Sequence, residues 1–204
     1  MTASKRALDL VLAVALGLLL LPLLGILLAV MWITEGRPLF YVSERMCRPD
    51  RAFGLIKLRT MPVGADRVGG VTGGDKQRQM SRLHRLLRRS RADEIPQLWN
   101  VIRGDMSLVG PRPPLRRYVE AYPEIYGAVL ACRPGITGLA SLIYHGHEER
   151  LLAVCDTAEQ TEATYRRCCI PAKARLDLIY ARNRTLCWDL ALIWRTARKP
   201  FQRG

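Results

Sequence analysis

The sequence predicts an α+β, predominantly helical fold: a monotopic membrane protein with an N-terminal re-entrant helix-break-helix, short strands and interfacial amphipathic helices. Three observations predict it. One long apolar run near the N-terminus is interrupted by proline; short alternating stretches follow it; and arginines, tyrosines and tryptophans recur at helical spacing beyond. The 204 residues suffice for one ordinary domain plus one attached element. The expected division is 1–36 for the membrane segment and 37–204 for the domain.

The apolar run, "LVLAVALGLLLLPLLGILLAV" from Leu10 to Val30, carries no charge, and about 20 such residues cross a bilayer core of ~30 Å. It is too long for the apolar region of a signal peptide, and no small-x-small cleavage site follows. A single-pass anchor is therefore one reading. Two features favour a re-entrant segment instead. Pro22 falls mid-run, where it removes a helix hydrogen bond. Both flanks are basic, with Lys5 and Arg6 before and Arg37, Arg45, Arg48 and Arg51 after, and basic flanks prefer the cytoplasmic side. Asp9, one turn past Lys5 and Arg6, is placed to pair with either at headgroup level.

"GRPLFYVSERM" and "RAFGLIKLRTM" read as short strands between turn formers. "VGADRVGGVTGGD" reads as a glycine-rich loop. In "KQRQMSRLHRLLRRSR", Arg78, Arg82, Arg85 and Arg89 form one helical face, and Met80, Leu83 and Leu87 another. Tyr118, Tyr122 and Tyr126 stand four residues apart. Leu186, Leu190, Ile193 and Trp194 share a helix face, with Arg195, Arg198 and Lys199 behind. Both patterns fit helices lying in a membrane interface, or equally core packing with a basic tail.

The 32 Lys and Arg against 18 Asp and Glu, formally +14, suit an anionic partner such as nucleic acid, an anionic membrane or a phosphorylated substrate. Nucleic acid is not expected, because the basic stretches lack interleaved aromatics and no DNA-reading motif occurs. The six cysteines show no CxxC pair or zinc-finger spacing and read as reduced thiols of a cytoplasmic domain. "HGH" at His145–His147 lacks a third ligand and reads as a surface turn.

The adjacent acids Asp93 and Glu94, in "RRSRADEIPQLWNVIRGDMSLVGPRP", are the densest chemical signal. Asp93 is placed to cap a helix "EIPQLWNVI" with Pro96 in its first turn. Arginines before and after favour ionised carboxylates and phosphate. An ionised Asp among phosphate-binding arginines can attack phosphorus, and an adjacent Glu can hold Mg²⁺. A plain capping pair with salt bridges is the other reading.

"KLRTM", "LRRSRADEIPQLWNVIRGDMSLVGPRP" and "RPGITG" resemble the ordered motifs of the bacterial sugar transferases, the monotopic phosphoglycosyl transferases. The similarity runs from "KRALD" to "DLALIWRTA". It implies a re-entrant membrane helix and a catalytic domain at the cytoplasmic face of a bacterial inner membrane. It also implies transfer of a phospho-sugar from a nucleotide (by resemblance uridine) diphosphate sugar to polyprenol phosphate through an aspartyl intermediate, and leaves a homodimer open. By position, Asp93 resembles the family's nucleophile, Glu94 its Mg²⁺-binding acid, and Arg88 and Arg112 its phosphate-binding arginines; Lys57 and Arg59 are further candidates. The chain departs from the family at Leu21 (commonly Ser), at Met46 or Cys47 and His84 (each commonly Gly), and after "RPGITG", where "WAQVNGR" is replaced. The competing expectation is a membrane-anchored, non-enzymatic binder of anionic lipid or nucleic acid.

Overall fold

The computed structural model describes residues 2–61 and 81–198. The glycine-rich loop, Arg78 and Met80 of the basic segment, and Lys199 lie outside those residues. The apolar run forms a single helix, α1 (Ala3–Glu35), with Pro22 inside it. The break expected at Pro22 does not interrupt the helix, which runs continuously from Ala3 to Glu35; the lost N–H and the ring clash are absorbed within it. Its length and composition are those of a membrane helix, yet only 6% of its most apolar window is buried within the protein. Val11, Leu18, Leu19, Leu21 and Ile26 all face outward.

Both ends of α1 grip the same domain. Near the N-terminus, Arg6 donates to the carbonyls of Val101 (2.7 Å) and Ile102 (2.9 Å). Lys5 Nζ lies 2.7 Å from Asp189 and 3.6 Å from Asp9. Asp9 accepts from Ser107 Oγ and the Leu108 N–H. Asp9 thus pairs with Lys5, but buried in protein rather than at a headgroup surface. At the other end Met31 is wholly buried with Leu58 and Leu87, and Arg59 donates to the carbonyls of Glu35 and Gly36.

The next two runs form the expected strands. β1 (Phe40–Arg48) and β2 (Arg51–Leu58) make an antiparallel hairpin with an irregularity between Met46 and Arg48. The basic segment forms α2 (Arg82–Ser90), burying Leu87 and exposing Arg82, Arg85 and Arg89. Arg91, in the left-handed conformation, ends α2. A 3-10 turn (Ala92–Glu94) and α3 (Gln97–Arg103) follow at once. Asp93 is therefore not the expected cap. Helical geometry already begins at Ala92, so Asp93 lies inside the turn, and the residue flanking α3 is Pro96.

β3 (Ser107–Val109) and β4 (Gly135–Thr137) pair in parallel. Gly110, Gly135 and Gly138 permit this closeness: a Cβ on any of them would collide with facing backbone. Between these strands lie α4 (Arg116–Ala121) and α5 (Pro123–Val129). Here the core reading of the tyrosines holds, because Tyr118 and Tyr126 are buried among Met46, Val129 and Ile170. The chain continues through α6 (Leu139–Ile143), α7 (His145–Ala153), α8 (Ala158–Thr164), a π-type turn (Tyr165–Cys169), α9 (Ile170–Asn183) and α10 (Leu186–Arg198). "HGH" is the first turn of α7 rather than a surface turn, and His145 approaches Glu149 at 3.5 Å. α10 leaves Leu186, Leu190 and Trp194 exposed, as an interfacial helix would, with Arg198 4.2 Å over the Trp194 ring. All six cysteines are free thiols.

Asp177 of α9 is buried, and its Oδ1 has no hydrogen-bond partner. Burial pushes its carboxyl up to about 7, with Lys173 and the Ala140 N–H only partly opposing. The folded protein thus binds a proton that the unfolded chain gives up near pH 4, so this residue lowers stability as pH rises from about 4 to about 7. Asp177→Asn should raise the apparent Tm by several degrees at pH 8 and by much less at pH 4.5. Equal shifts at both pH values, in thermal scans of detergent-solubilised protein, would refute the assignment.

Candidate functional site

Three chain segments converge on Glu94. The hairpin delivers Lys57, whose Nζ lies 3.2 Å from Glu94 Oε1. The segment after β3 delivers Arg112, whose Nη2 lies 2.9 Å from the same oxygen. Arg91 Nη1 approaches Oε2 at 3.5 Å. Burial alone would push the Glu94 carboxyl up, but Arg112, Lys57 and Arg91 together overcome it and hold the group well below the usual carboxylate range.

Asp93 is also buried but makes no hydrogen bond or ion pair among the described residues. Burial pushes its carboxyl up, ionised Glu94 adds to this, and Lys57, Arg88 and Arg112 pull back. The two neighbours therefore differ in character. Glu94 is a fixed anion tied to the scaffold, whereas Asp93 has free lone pairs in a cationic surround. The expectation that the local field ionises both acids alike holds for Glu94, while burial works against it at Asp93.

Of the other expected site residues, Arg88 donates from Nε to Thr60 Oγ1 at 2.9 Å, and its charge reaches Asp93. Burial and the Arg112 charge lower Lys57 to about 8, against the pull of Glu94. Arg112 keeps 38% of its side-chain exposure, so the cluster opens outward on its side. Arg59 points elsewhere, to the α1 carbonyls already described. Asp93, Glu94, Lys57, Arg88 and Arg112 are thus brought together, and Arg59 is not.

Two contributors went unrecognised in the sequence. Thr60, inside "KLRTM", aims Arg88. Asn100 is 1% exposed and bridges to the hairpin through the Ile56 N–H (3.1 Å) and the Gly54 carbonyl (2.8 Å). It fixes the strand bearing Lys57 against the helix that follows the acids. Arg91, one of the arginines expected upstream of the acids, does act on Glu94. The signals were present as a Thr and an Asn inside the quoted motifs, but polar side chains that bond to backbone carry no periodicity.

For a metal, no group of three or more His, Cys, Asp or Glu occurs among the described residues. Mg²⁺ does not require one, since it takes one or two carboxylates and completes its shell with water and substrate phosphate. Glu94, held ionised, and the adjacent Asp93 supply that hard-oxygen set, and Oε2 of Glu94 is the less engaged oxygen.

The site is an acidic pair in a cationic cluster, in a chain whose N-terminal helix is long and apolar enough to cross a membrane by length and composition. Residues 1–203 match the bacterial sugar transferase family, and the chain belongs to it. It is 39% identical to a UDP-glucose:undecaprenyl-phosphate glucose-1-phosphate transferase of Caulobacter vibrioides, covering 68% of this chain and 53% of that one. It is 28% identical to an Aeromonas hydrophila UDP-N-acetylgalactosamine-undecaprenyl-phosphate N-acetylgalactosaminephosphotransferase, over 95% of this chain and 43% of that one. The exopolysaccharide production protein ExoY of Sinorhizobium fredii is 27% identical over 95% of this chain and 83% of its own. The chain thus spans about half or less of the first two relatives and most of the third.

Arg112→Ala should weaken binding of inorganic phosphate ~10-fold or more, because it removes a charged donor from the cluster. Arg82→Ala and Arg85→Ala, on the solvated face of α2, should change it less than ~2-fold. A uniform response across the three, measured by titration calorimetry, would point to diffuse electrostatic attraction.

Proposed function

We propose that the protein transfers a phospho-sugar from a nucleotide diphosphate sugar, with uridine as the base, to polyprenol phosphate. The observation that carries this is the unpaired Asp93 carboxylate beside the cation-clamped Glu94. The activities for which the Caulobacter vibrioides and Aeromonas hydrophila relatives are named support the substrate classes: a UDP-sugar donor and an undecaprenyl-phosphate acceptor.

An Asp93 oxygen attacks the sugar-linked phosphorus, and the bond from that phosphorus to the bridging oxygen breaks. The nucleoside monophosphate leaves with the electron pair. A phosphate oxygen of polyprenol phosphate then attacks the same phosphorus and displaces the Asp93 carboxylate, giving a polyprenyl diphosphate sugar. The attacking oxygen already bears charge at neutral pH, so no general base is needed for this step. Lys57, Arg88 and Arg112 place positive charge where the phosphoryl oxygens gain negative charge, which stabilises the transition state more than the ground state. Glu94 orients Lys57 and Arg112 and would hold Mg²⁺. When bound, the ion neutralises phosphate charge.

Two reactants of opposite solubility must meet, one in water and one in lipid. α1 solves this by entering and leaving a single leaflet at the cytoplasmic face of the bacterial inner membrane. The support is its double attachment: Lys5, Arg6 and Asp9 at one end, and Met31 and Glu35 at the other, hold one domain. A helix crossing the bilayer would carry its first turns away from that domain, and buried Lys5–Asp189 would be lost.

Asp93→Asn should abolish release of nucleoside monophosphate, while the apparent Tm and the membrane fraction stay as in the parent. Retention of a substantial part of the activity would rule out the covalent route. Loss of activity together with a collapse in Tm would be resolved by Asp93→Glu, which keeps the charge. Topology has its own test. A cysteine at exposed Ser4, in a background without the six native cysteines, should resist a membrane-impermeant thiol reagent in intact cells. Labelling there would restore a single crossing.

A further inference from the structure

One face of the hairpin carries more than Lys57. In the antiparallel register Tyr41 faces Lys57, Ser43 faces Leu55 and Arg45 faces Phe53. Ser43 and Arg45 therefore extend from the strand on the side that brings Lys57 to Glu94, with Arg45 ~13 Å along from Tyr41. Ser43 Oγ and Arg45 Nε are both buried, and neither has a hydrogen-bond partner. Arg45 meets no carboxylate at ion-pair distance among the described residues, and the Arg112 guanidinium acts on it as a like charge.

A buried guanidinium with an orphaned N–H beside a second guanidinium is costly, and folding alone offers no reason to keep it. The surrounding charge is unbalanced too. Among the described residues, the acids that act most on Lys57, Arg45, Arg88, Arg91, Arg112 and Lys173 are Asp93, Glu94 and Glu148, and Lys173 is already paired with Glu148 at 3.1 Å. An anion brought from outside would supply the missing counter-charge, and a guanidinium fork with a neighbouring hydroxyl matches phosphate oxygens.

The two ends of the hairpin differ in a way that identifies this anion. At the Lys57 end the outward residues are apolar, with Phe40 44% and Val42 60% exposed, which suits the approach of a lipid. At the Arg45 end the hairpin meets α4 through a Glu44–Arg116 ion pair and the Met46 N–H to Pro114 carbonyl bond. Beyond it stands half-buried Tyr165 of the π-type turn, its ring centroid 5.3 Å from that of core Tyr118. A polar, aromatic end suits a nucleoside.

Resting on the transferase reading above, we propose that Ser43 and Arg45 bind the nucleotide-side phosphate of the donor. Arg112 is shared between this phosphate and the sugar-linked one attacked by Asp93. As the bond between phosphorus and the bridging oxygen breaks, the leaving phosphate takes the electron pair, and Arg45 stabilises the charge it gains. Arg45 is then the leaving-group counterpart of the cations around Asp93.

The full chain in detergent micelles is titrated with inorganic pyrophosphate, orthophosphate and farnesyl phosphate. Arg45→Gln should weaken pyrophosphate ~10-fold or more and the other two less than ~2-fold, because only linked phosphates reach both subsites. Ser43→Ala should follow in the same direction by a smaller factor, and Arg45→Lys should recover part of the loss. Without ligand, Arg45→Gln should melt at or above the parent temperature, since it removes an uncompensated buried charge. Unchanged pyrophosphate affinity, an equal loss for orthophosphate, or a fall in Tm that Arg45→Lys repairs would each overturn the subsite. A loss confined to farnesyl phosphate would assign these residues to the acceptor and overturn the donor assignment. If the parent protein bound none of the three probes, the transferase reading itself would fail. Binding by parent and Arg45→Gln alike defeats only the subsite.

Discussion

A single buried carboxylate organises this molecule's chemistry. Glu94 is 8% exposed and is met by Lys57, Arg112 and Arg91, which come from a strand, from the segment after a second strand, and from the turn that ends α2. Burying an ion costs several kcal/mol unless partners compensate it, so removing any one partner strands charge on the others. The arrangement is thus weak evidence for stability and strong evidence for position. It fixes Lys57 and Arg112, two of the cations whose charge reaches Asp93, which itself makes no ion pair among the described residues. The contrast between a tied acid and a free one, one residue apart, follows from the 3-10 turn, in which successive side chains diverge by about a third of a turn.

The scaffold behind that cluster is mostly backbone. Asn100 stitches α3 to β2 with two side-chain bonds, which sets Lys57 relative to the acids. Arg112 is set by β3 and β4, which approach closely because glycines face each other across them; Gly135 N donates to the Pro111 carbonyl at 2.8 Å. A parallel pair of two three-residue strands would be marginal by itself. It persists because α10 packs against it and because α1 and α9 bond to it, through Asp9 to Ser107 and Leu108 and from the Tyr180 hydroxyl of α9 to the Val109 carbonyl.

Much of this was legible in the residues, and the limits have physical causes. The hairpin showed because alternation and turn formers are local. The acidic pair showed because adjacent like charges have no packing rationale. Asp93 was misplaced as a helix cap because Arg91 adopts the left-handed conformation, which is rare outside glycine and asparagine and leaves no compositional trace. The tyrosines of α4 and α5 stayed ambiguous because a four-residue period is shared by core and interface helices; only the neighbours Met46 and Ile170, distant in sequence, decide between them. The direction taken by Arg59 was likewise hidden, because carbonyls at a helix end attract an arginine as well as a phosphate does.

The second buried charge cluster links the apolar N-terminal helix to the strand that leads into the acidic cluster. Lys5 is shared by Asp9 and Asp189, Tyr180 donates to Asp189 at 2.7 Å, and Asp9 accepts from Ser107 and Leu108 of β3. β3 leads directly into Gly110, Pro111 and Arg112. The first turn of the apolar helix is therefore joined by hydrogen bonds to the strand that aims a site arginine at Glu94. A helix that merely tethered the domain to lipid would need no buried ion cluster, since apolar burial alone would hold it and exposed basic residues would settle at the headgroups. Charges withdrawn from water and paired with exact partners specify one orientation of helix against domain, at a cost in desolvation that nonspecific anchoring would avoid. The apolar helix is in this sense part of the site's geometry: its placement against the domain is carried through Asp9 and β3 to the segment that delivers Arg112 to Glu94.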